Sequence, residues 1–126
     1  MNTSKNEKIA ILGISNDPSR YSFKAFERLL ASGYKNLYGI SPKAPHMDNI
    51  KIVSSLKDLD NNIHTLTVYL SKERIDALIE NIVMLNPKRI ILNPGTENEN
   101  LEKICLKNNI KTLRACTLVL LSSDQF

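Results

Sequence analysis

Five short apolar segments alternate with helical patterns along the chain, and this alternation constrains the fold more than any other feature. The apolar segments cover residues 8–12, 36–40, 63–70, 89–92 and 111–114. The first of them, KIAIL, is continuously apolar, as expected of a strand buried on both faces of a sheet. Strands that alternate with helices form parallel sheets through right-handed crossovers. The sequence therefore predicts a Rossmann-like α/β fold, a doubly wound parallel sheet of five strands in the order 3-2-1-4-5 with helices on both faces.

Helix signals lie between the predicted strands. Apolar residues at helical spacing follow residue 22, and a second amphipathic stripe begins after Ser71, which is a suitable N-cap. Thr96 and Glu99 have the spacing of a capping box and predict a helix after the fourth strand. Residues 50–59 predict a brief extended piece followed by one or two helical turns. The C-terminal CTLVLL predicts a short apolar tail packed on the sheet edge.

The bulk properties of the chain limit its class. A length of 126 residues predicts one domain, residues 1–126, of which residues 1–6 are expected to be disordered. No apolar run approaches the roughly 20 residues of a membrane span, and the polar N-terminus has no signal-peptide core, which predicts a cytoplasmic protein. The net charge is +4, but the 17 basic residues are scattered, whereas nucleic-acid binders concentrate charge on one face. A small anionic ligand is the better match, with no nucleic acid and no membrane as partner.

The stretch GISNDPSRYS, after the first strand, has features of a phosphate-binding turn. In open parallel sheets, ligands bind beyond the carboxyl ends of the strands where the strand order reverses, and we place that point between the first and fourth strands. Gly13 permits a tight turn, and Pro18 fixes part of the loop. Ser15 can donate a hydroxyl hydrogen bond, and Arg20 can make a forked contact to a phosphate. Ser22 is the expected N-cap of a helix whose free N–H groups favour anions.

The loop after the second strand, ISPK, discriminates between nucleotides. NAD-binding proteins commonly have an acidic residue at this point, which holds the ribose hydroxyls. The first acid here is Asp48, well out in the loop, whereas Ser41 and Lys43 would suit a ribose that carries a phosphate. This pattern argues against NAD and leaves NADP, coenzyme A or a similar phosphorylated adenosine.

The loop after the fourth strand, LNPGTENE, offers backbone to a ligand. Pro94 and Gly95 lie just before a predicted helix start, where the chain can approach a ligand without side-chain interference. Asn93 could hydrogen-bond to an amide or a phosphate. The loop therefore adds a further wall to the predicted site.

No catalytic constellation is visible in the sequence. Its two histidines are His46, in the loop near the predicted site, and His64, at the opposite end of the third strand. Cys105 and Cys116 match no metal-ligand spacing and lie in apolar surroundings, which predicts buried thiols. We therefore expect neither a metal site nor an enzyme.

Taken in order, the motifs GISNDPSRYS, ISPK, NPGTENE and CTLVLL resemble the small CoA-binding proteins of bacteria. These are single Rossmann-like domains similar to the CoA-binding domain of succinyl-CoA synthetase α subunits and acyl-CoA synthetases. The resemblance runs from about residue 8 to the C-terminus. Two departures are Ser41, where the family has Asn, and YLSKE, which lacks the Arg-Pro common after the third strand. The resemblance implies contacts to the pyrophosphate and phosphorylated adenosine of CoA, and the predicted cofactor-binding residues are Gly13, Ile14, Ser15, Pro18, Arg20, Ser22, Ser41, Pro42, Lys43, Leu70, Asn93, Pro94 and Gly95.

The expected function is therefore non-catalytic binding of coenzyme A or an acyl-CoA at the C-terminal edge of the sheet. One alternative is an NADP- or NAD-binding redox sensor or oxidoreductase. Another is a CoA-binding subunit that serves a separate acyl-CoA ligase chain. Because Rossmann-like domains often pair through edge strands or helices, a homodimer is compatible with the sequence.

Overall fold

Six parallel strands form the central sheet of the chain, whose residues 3–126 are described by a computed structural model. The strands lie in the order β3-β2-β1-β4-β5-β6, and every neighbouring pair is parallel. The predicted Rossmann-like parallel sheet is therefore confirmed. The strands are β1 Lys8–Leu12, β2 Leu37–Ile40, β3 Lys51–Val53, β4 Ile63–Val68, β5 Arg89–Leu92 and β6 Lys111–Arg114.

Helices cover both faces of the sheet. One face carries α1 and α5, which pack on each other, and the other carries α2, α3, α4 and a 3₁₀ turn at Leu56–Asp58. Each face has its own cluster of buried apolar side chains. No helix in the described part of the chain is long and apolar enough to cross a membrane. The helices are α1 Tyr21–Ala31, α2 Lys72–Asp76, α3 Ile79–Leu85, α4 Glu99–Lys107 and α5 Thr117–Ser122.

The predicted strand count and order need correction. Five strands were expected, but the extended piece within residues 50–59 is a sixth strand, Lys51–Val53, paired with β2. The segment 63–70 was expected at the edge beyond β2, whereas β4 pairs with β1 in the middle of the sheet. Residues 65–68 are fully buried, as a central parallel strand requires, while Lys51 is exposed and suits an edge.

Both ends of the chain differ from expectation. The CTLVLL segment forms α5, and Leu120 and Leu121 pack into the apolar cluster beneath α1 rather than on the sheet edge. Residues 3–6 are not disordered: the buried Thr3 donates from Oγ1 to the Phe126 carbonyl oxygen at 2.8 Å, and its own carbonyl accepts from the Tyr34 hydroxyl at 2.9 Å. Residues 1 and 2, which share that prediction, lie outside the described residues.

Candidate functional site

A cavity of about 770 Å³ opens at the carboxyl edge of the sheet. Its walls come from the loops that follow β1, β2, β4 and β5, and its volume lies in the range of roughly 300–1,000 Å³ typical of small-molecule sites. Because β1 lies between β2 and β4, the strand order reverses between β1 and β4, not between β1 and residues 89–92 as predicted. The structure brings these predicted residues to the cavity: Gly13, Ile14, Ser15, Arg20, Ser22, Ser41, Pro42, Lys43, Leu70, Pro94 and Gly95.

The first turn of the site is held tightly against its neighbours. Gly13 has a φ of +90°, and its N–H donates to the Ile40 carbonyl oxygen at 2.9 Å. A Cβ built at Gly13 would lie 2.6 Å from the Tyr69 carbonyl oxygen, so a side chain is excluded sterically as well as by φ. The exposed Pro18 belongs to the same loop but does not line the cavity.

The N-terminus of α1 is open toward the cavity. Ser22 is not the predicted N-cap, since α1 begins at Tyr21 and the N-cap residue is Arg20. The Ser22 hydroxyl instead accepts from the Ser15 N–H at 3.1 Å, which braces the loop. Neither a side-chain cap nor an acidic residue occupies the first turn of α1. The N–H groups of that turn therefore have no intrahelical acceptor, and together with the helix dipole they favour an anion.

The other helix starts near the cavity have their own caps. Ser71 accepts from the Arg74 N–H and caps α2, as predicted. The Asn98 side chain accepts from the Leu101 N–H at 2.9 Å and caps α4, so the predicted capping box of Thr96 and Glu99 is wrong. The Thr96 hydroxyl instead donates to the Asn93 carbonyl oxygen at 2.8 Å. Only α1, among these three helices, presents an uncapped N-terminus to the cavity.

Three exposed cations, Arg20, Lys43 and Arg74, line the cavity from three different loops or helices. None of them forms an ion pair with the residues in 3–126. The neighbouring Asp17 accepts from both the N–H and the hydroxyl of Ser19, at 2.9 and 2.8 Å. Those hydrogen bonds, with a smaller contribution from the Arg20 charge, hold the pKa of Asp17 below its usual value. The carboxylate is thus engaged by Ser19, and the cavity keeps a positive lining.

Asn93 does not face the cavity as predicted. It is 2% exposed, and its Nδ2 donates to the Thr67 hydroxyl at 2.8 Å and to the Val68 carbonyl oxygen at 2.9 Å. Its Oδ1 accepts from the Thr117 N–H at 2.8 Å. Burial of an amide requires such partners, and here they come from β4 and α5. Asn93 therefore lies outside the cavity lining and positions the loop after β5.

The loop after β5 presents Pro94 and Gly95 to the cavity, as predicted. Gly95 has a φ of +89°, and a Cβ placed there would meet nothing within 4 Å. The Gly95 N–H donates to both carboxylate oxygens of Glu97, each at 3.1 Å. The Glu97 carboxylate therefore engages this backbone donor at the cavity edge.

Sequence reasoning missed Tyr69 and Arg74 as cavity residues. Burial raises the pKa of Tyr69 to about 12, while hydrogen bonds with Thr67 and Thr117 oppose the shift, so its phenol stays neutral. Arg74 lies three residues beyond the Ser71 cap. That spacing places it one turn into a helix that starts at the cavity edge, and this signal could have identified it.

The remaining reactive side chains lie away from the cavity lining. His46 is exposed and its Nε2 lies 3.5 Å from Asp48 Oδ1, while His64 begins β4 at the amino edge of the sheet. Partial burial lowers the pKa of His64. Burial raises the pKa of the Cys105 thiol to about 11, and Cys116 is half-buried. Within residues 3–126, no group of three or more His, Cys, Asp or Glu side chains is arranged to hold a metal ion.

Comparison with known proteins assigns the family. A solved structure described only as an uncharacterized protein is 34% identical, with a TM-score of 0.88 over 96% of this chain and 98% of that one. The protein YneT of Bacillus subtilis (strain 168), also described as uncharacterized, is 25% identical over 75% of this chain and 70% of its own. A dinucleotide-forming acetyl-coenzyme A synthetase of Ca. Korarchaeum cryptofilum, solved with phosphate and ADP, shares the fold at 21% identity and a TM-score of 0.72. The match covers 86% of this chain but only 25% of that synthetase. The family model described as a CoA binding domain matches residues 7–122, so this chain belongs to the CoA binding domain family.

Proposed function

We propose that this protein binds coenzyme A or an acyl-CoA in the cavity at the carboxyl edge of its sheet and performs no chemistry of its own on the ligand. The observation that carries the proposal is the uncapped N-terminus of α1, which opens into a cavity lined by Arg20, Lys43 and Arg74. A helix N-terminus beside cations that form no ion pair within residues 3–126 is a suitable site for a diphosphate. Membership of the CoA binding domain family supports CoA as the nucleotide.

The distribution of charge favours CoA over NAD. CoA carries a diphosphate and a further phosphate on its ribose, whereas NAD carries only the diphosphate. Arg20 lies at the start of α1, while Lys43 lies in the loop after β2, where the ribose of a bound adenosine is held in Rossmann-like folds. Ser41 and Lys43 both line the cavity, and no acidic residue accompanies them there. Such a lining is complementary to a phosphorylated ribose, because it contains no carboxylate that would repel the phosphates of CoA.

The non-catalytic character rests on the positions of the chain's histidines. A general acid or base must reach the reacting group within about 3 Å or through one water. Neither His46 nor His64 lines the cavity, and the Tyr69 phenol, which does, has a pKa raised to about 12 by burial. The cavity lining therefore provides cations that can contact an anion, together with a neutral phenol. These groups are better suited to binding than to proton transfer at neutral pH.

A second candidate function is that of a CoA-binding subunit for a separate acyl-CoA ligase chain. The observation that favours it is the likeness in fold to a quarter of an acetyl-coenzyme A synthetase, in which such a domain is one part of a longer chain. Co-purification of a ligase chain with the tagged protein, together with CoA-dependent ligase activity of the complex, would support this second function.

Calorimetry on one protein preparation tests the proposal. We expect CoA and acetyl-CoA to bind more tightly than NADP, NAD or ADP. Arg20→Ala and Lys43→Ala should each weaken CoA binding by roughly 1.5–3 kcal/mol, the range for hydrogen bonds to charged groups. Arg28→Ala, at the exposed C-terminal turn of α1, and Lys103→Ala, exposed on α4, are matched controls that should bind CoA like the wild type.

Two results would contradict the proposal at different levels. Binding of NAD without binding of CoA would refute the choice of ligand. Unchanged CoA affinity in both Arg20→Ala and Lys43→Ala would refute the location of the site, even if CoA still bound to the protein.

A further inference from the structure

Arg74 lines the cavity but belongs to none of the sequence motifs that predicted the site. It lies on α2, directly after the turn that leaves β4, and its exposed side chain lines the cavity on the opposite side of the switch point from Arg20. It has no ion-pair partner among the residues that the structure describes. A guanidinium in this position can donate two parallel hydrogen bonds to one phosphate.

The backbone around Arg74 is fixed in place. The adjacent Ile75 is fully buried, and the Arg74 N–H donates to the Ser71 hydroxyl at 3.4 Å. The Asn98 Nδ2 donates to the Lys72 carbonyl oxygen at 3.1 Å and to Asp76 Oδ1 at 2.9 Å. These contacts connect the short helix α2 to the loop after β5. The backbone that carries the Arg74 guanidinium is therefore fixed relative to the cavity.

Two acids lie close to Arg74 on α2, the adjacent Glu73 and Asp76 two residues further on. Asp76 has hydrogen-bond partners other than Arg74. Asp76 Oδ1 accepts from the side-chain amides of Asn98, at 2.9 Å, and Asn100, at 3.3 Å. Those hydrogen bonds lower the pKa of Asp76 and keep it ionised while it is engaged by neutral amides. The Arg74 charge is therefore not neutralised by this carboxylate and remains available to a ligand.

We propose that Arg74 is the second cation on the diphosphate of the bound nucleotide, facing Arg20 across the crevice between β1 and β4. This inference rests on the proposed function. In open parallel sheets the diphosphate lies over the first helix N-terminus at the switch point, where α1 and α2 leave neighbouring strands on opposite faces of the sheet. Arg20 and Arg74 thus flank the diphosphate, while Lys43, on the β2 side, takes the ribose phosphate.

The test compares CoA with dephospho-CoA, which keeps the diphosphate and lacks the ribose phosphate. Arg74→Ala is expected to weaken binding of both ligands by the same factor, roughly 10- to 150-fold for a charge-assisted contact. Lys43→Ala is expected to weaken binding of CoA and to leave binding of dephospho-CoA unchanged. Arg74→Lys keeps the positive charge but loses the two parallel hydrogen bonds of the guanidinium. The affinity of this variant for both ligands should therefore lie between those of the wild type and Arg74→Ala. Thermal melting of each variant, with Arg28→Ala as the matched control, reports whether the fold is retained.

The outcomes separate the inference from the proposed function. If the wild type binds CoA and a folded Arg74→Ala binds it equally well, the role of Arg74 is refuted and the proposed function stands. A loss confined to CoA, with dephospho-CoA unaffected, would refute the diphosphate assignment and move Arg74 to the ribose phosphate. Absence of CoA binding by the wild type would overturn the proposed function and this inference with it.

Discussion

Two glycines of the site provide a matched pair of substitutions. Gly13 and Gly95 have nearly the same backbone conformation, with φ values of +90° and +89°. Their surroundings differ, because a Cβ at Gly13 would lie 2.6 Å from the Tyr69 carbonyl oxygen and 2.8 Å from Leu70 Cδ2, whereas a Cβ at Gly95 meets nothing within 4 Å. Gly95→Ala therefore measures the conformational cost alone, and Gly13→Ala measures that cost plus a steric overlap with backbone.

The two costs can be estimated separately. An L-residue held at positive φ loses about 1–2 kcal/mol, which is the expected destabilisation for Gly95→Ala. At Gly13 the overlap with a backbone carbonyl forces the turn or the end of β4 to shift, which adds about 1–3 kcal/mol. We therefore expect Gly13→Ala to lose about 2–5 kcal/mol. The effect of alanine on the entropy of the unfolded chain is common to both variants and cancels in the comparison.

Urea unfolding of both variants, followed by circular dichroism, measures this difference in the free energy of unfolding. In thermal melts each kcal/mol should correspond to about 3–6 °C for a chain of this length. Because Tyr69 and Leu70 line the cavity, Gly13→Ala should also weaken CoA binding more than Gly95→Ala does. Equal destabilisation by the two substitutions would refute the steric argument and leave only the backbone conformation as the reason for glycine.

Three further predictions concern buried groups. Asn93→Ala removes the partners of the Thr117 N–H and the Val68 carbonyl oxygen, so urea unfolding should show a loss of about 2–4 kcal/mol, and wild-type stability would contradict the positioning role. Because the pKa of Tyr69 is raised to about 12, the stability that its neutral phenol contributes is complete below pH 10 and lost as the pH rises toward 12. Tyr69→Phe should remove that part of the alkaline loss, and a phenolate absorbance step for Tyr69 near pH 10 in the native protein would contradict the shift. In Cys116→Ser protein, the buried Cys105 thiol, with a pKa of about 11, should react with a thiol reagent only as fast as the chain opens, and rapid native-state labelling would disprove its burial.

The general architecture was predictable because it depends on local patterns. Continuous apolar segments separated by helical periodicity specify parallel strands with crossover helices. The segment Lys51–Val53 was predicted as extended but not counted as a strand of the sheet, because only three residues pair and one of them is exposed, so its pattern is too short to signal a strand. The position of β4 beside β1 was also missed, since alternation alone does not say which strands become neighbours.

Cap assignments were less predictable because a polar side chain has several competing backbone partners. Ser22 has the right identity and place for an N-cap, yet its hydroxyl accepts from the Ser15 N–H of the preceding loop. Thr96 similarly contacts the Asn93 carbonyl oxygen, and Asn98 caps α4. Ser71 is the cap that local sequence identified correctly, because its hydroxyl accepts from the Arg74 N–H of its own helix.

By itself, the sequence determined that a parallel sheet would form and that the loops after its strands would gather at one edge, because strand direction and loop position follow from local periodicity. It also determined the chemistry of that edge, since Gly13, Arg20 and Lys43 lie in the loops that follow β1 and β2. Only the tertiary structure decided that Asn93 lies beneath the site and that β4 lies beside β1. Those placements depend on hydrogen bonds and packing between segments more than twenty residues apart, as between Asn93 and Thr117, and no local pattern encodes such contacts.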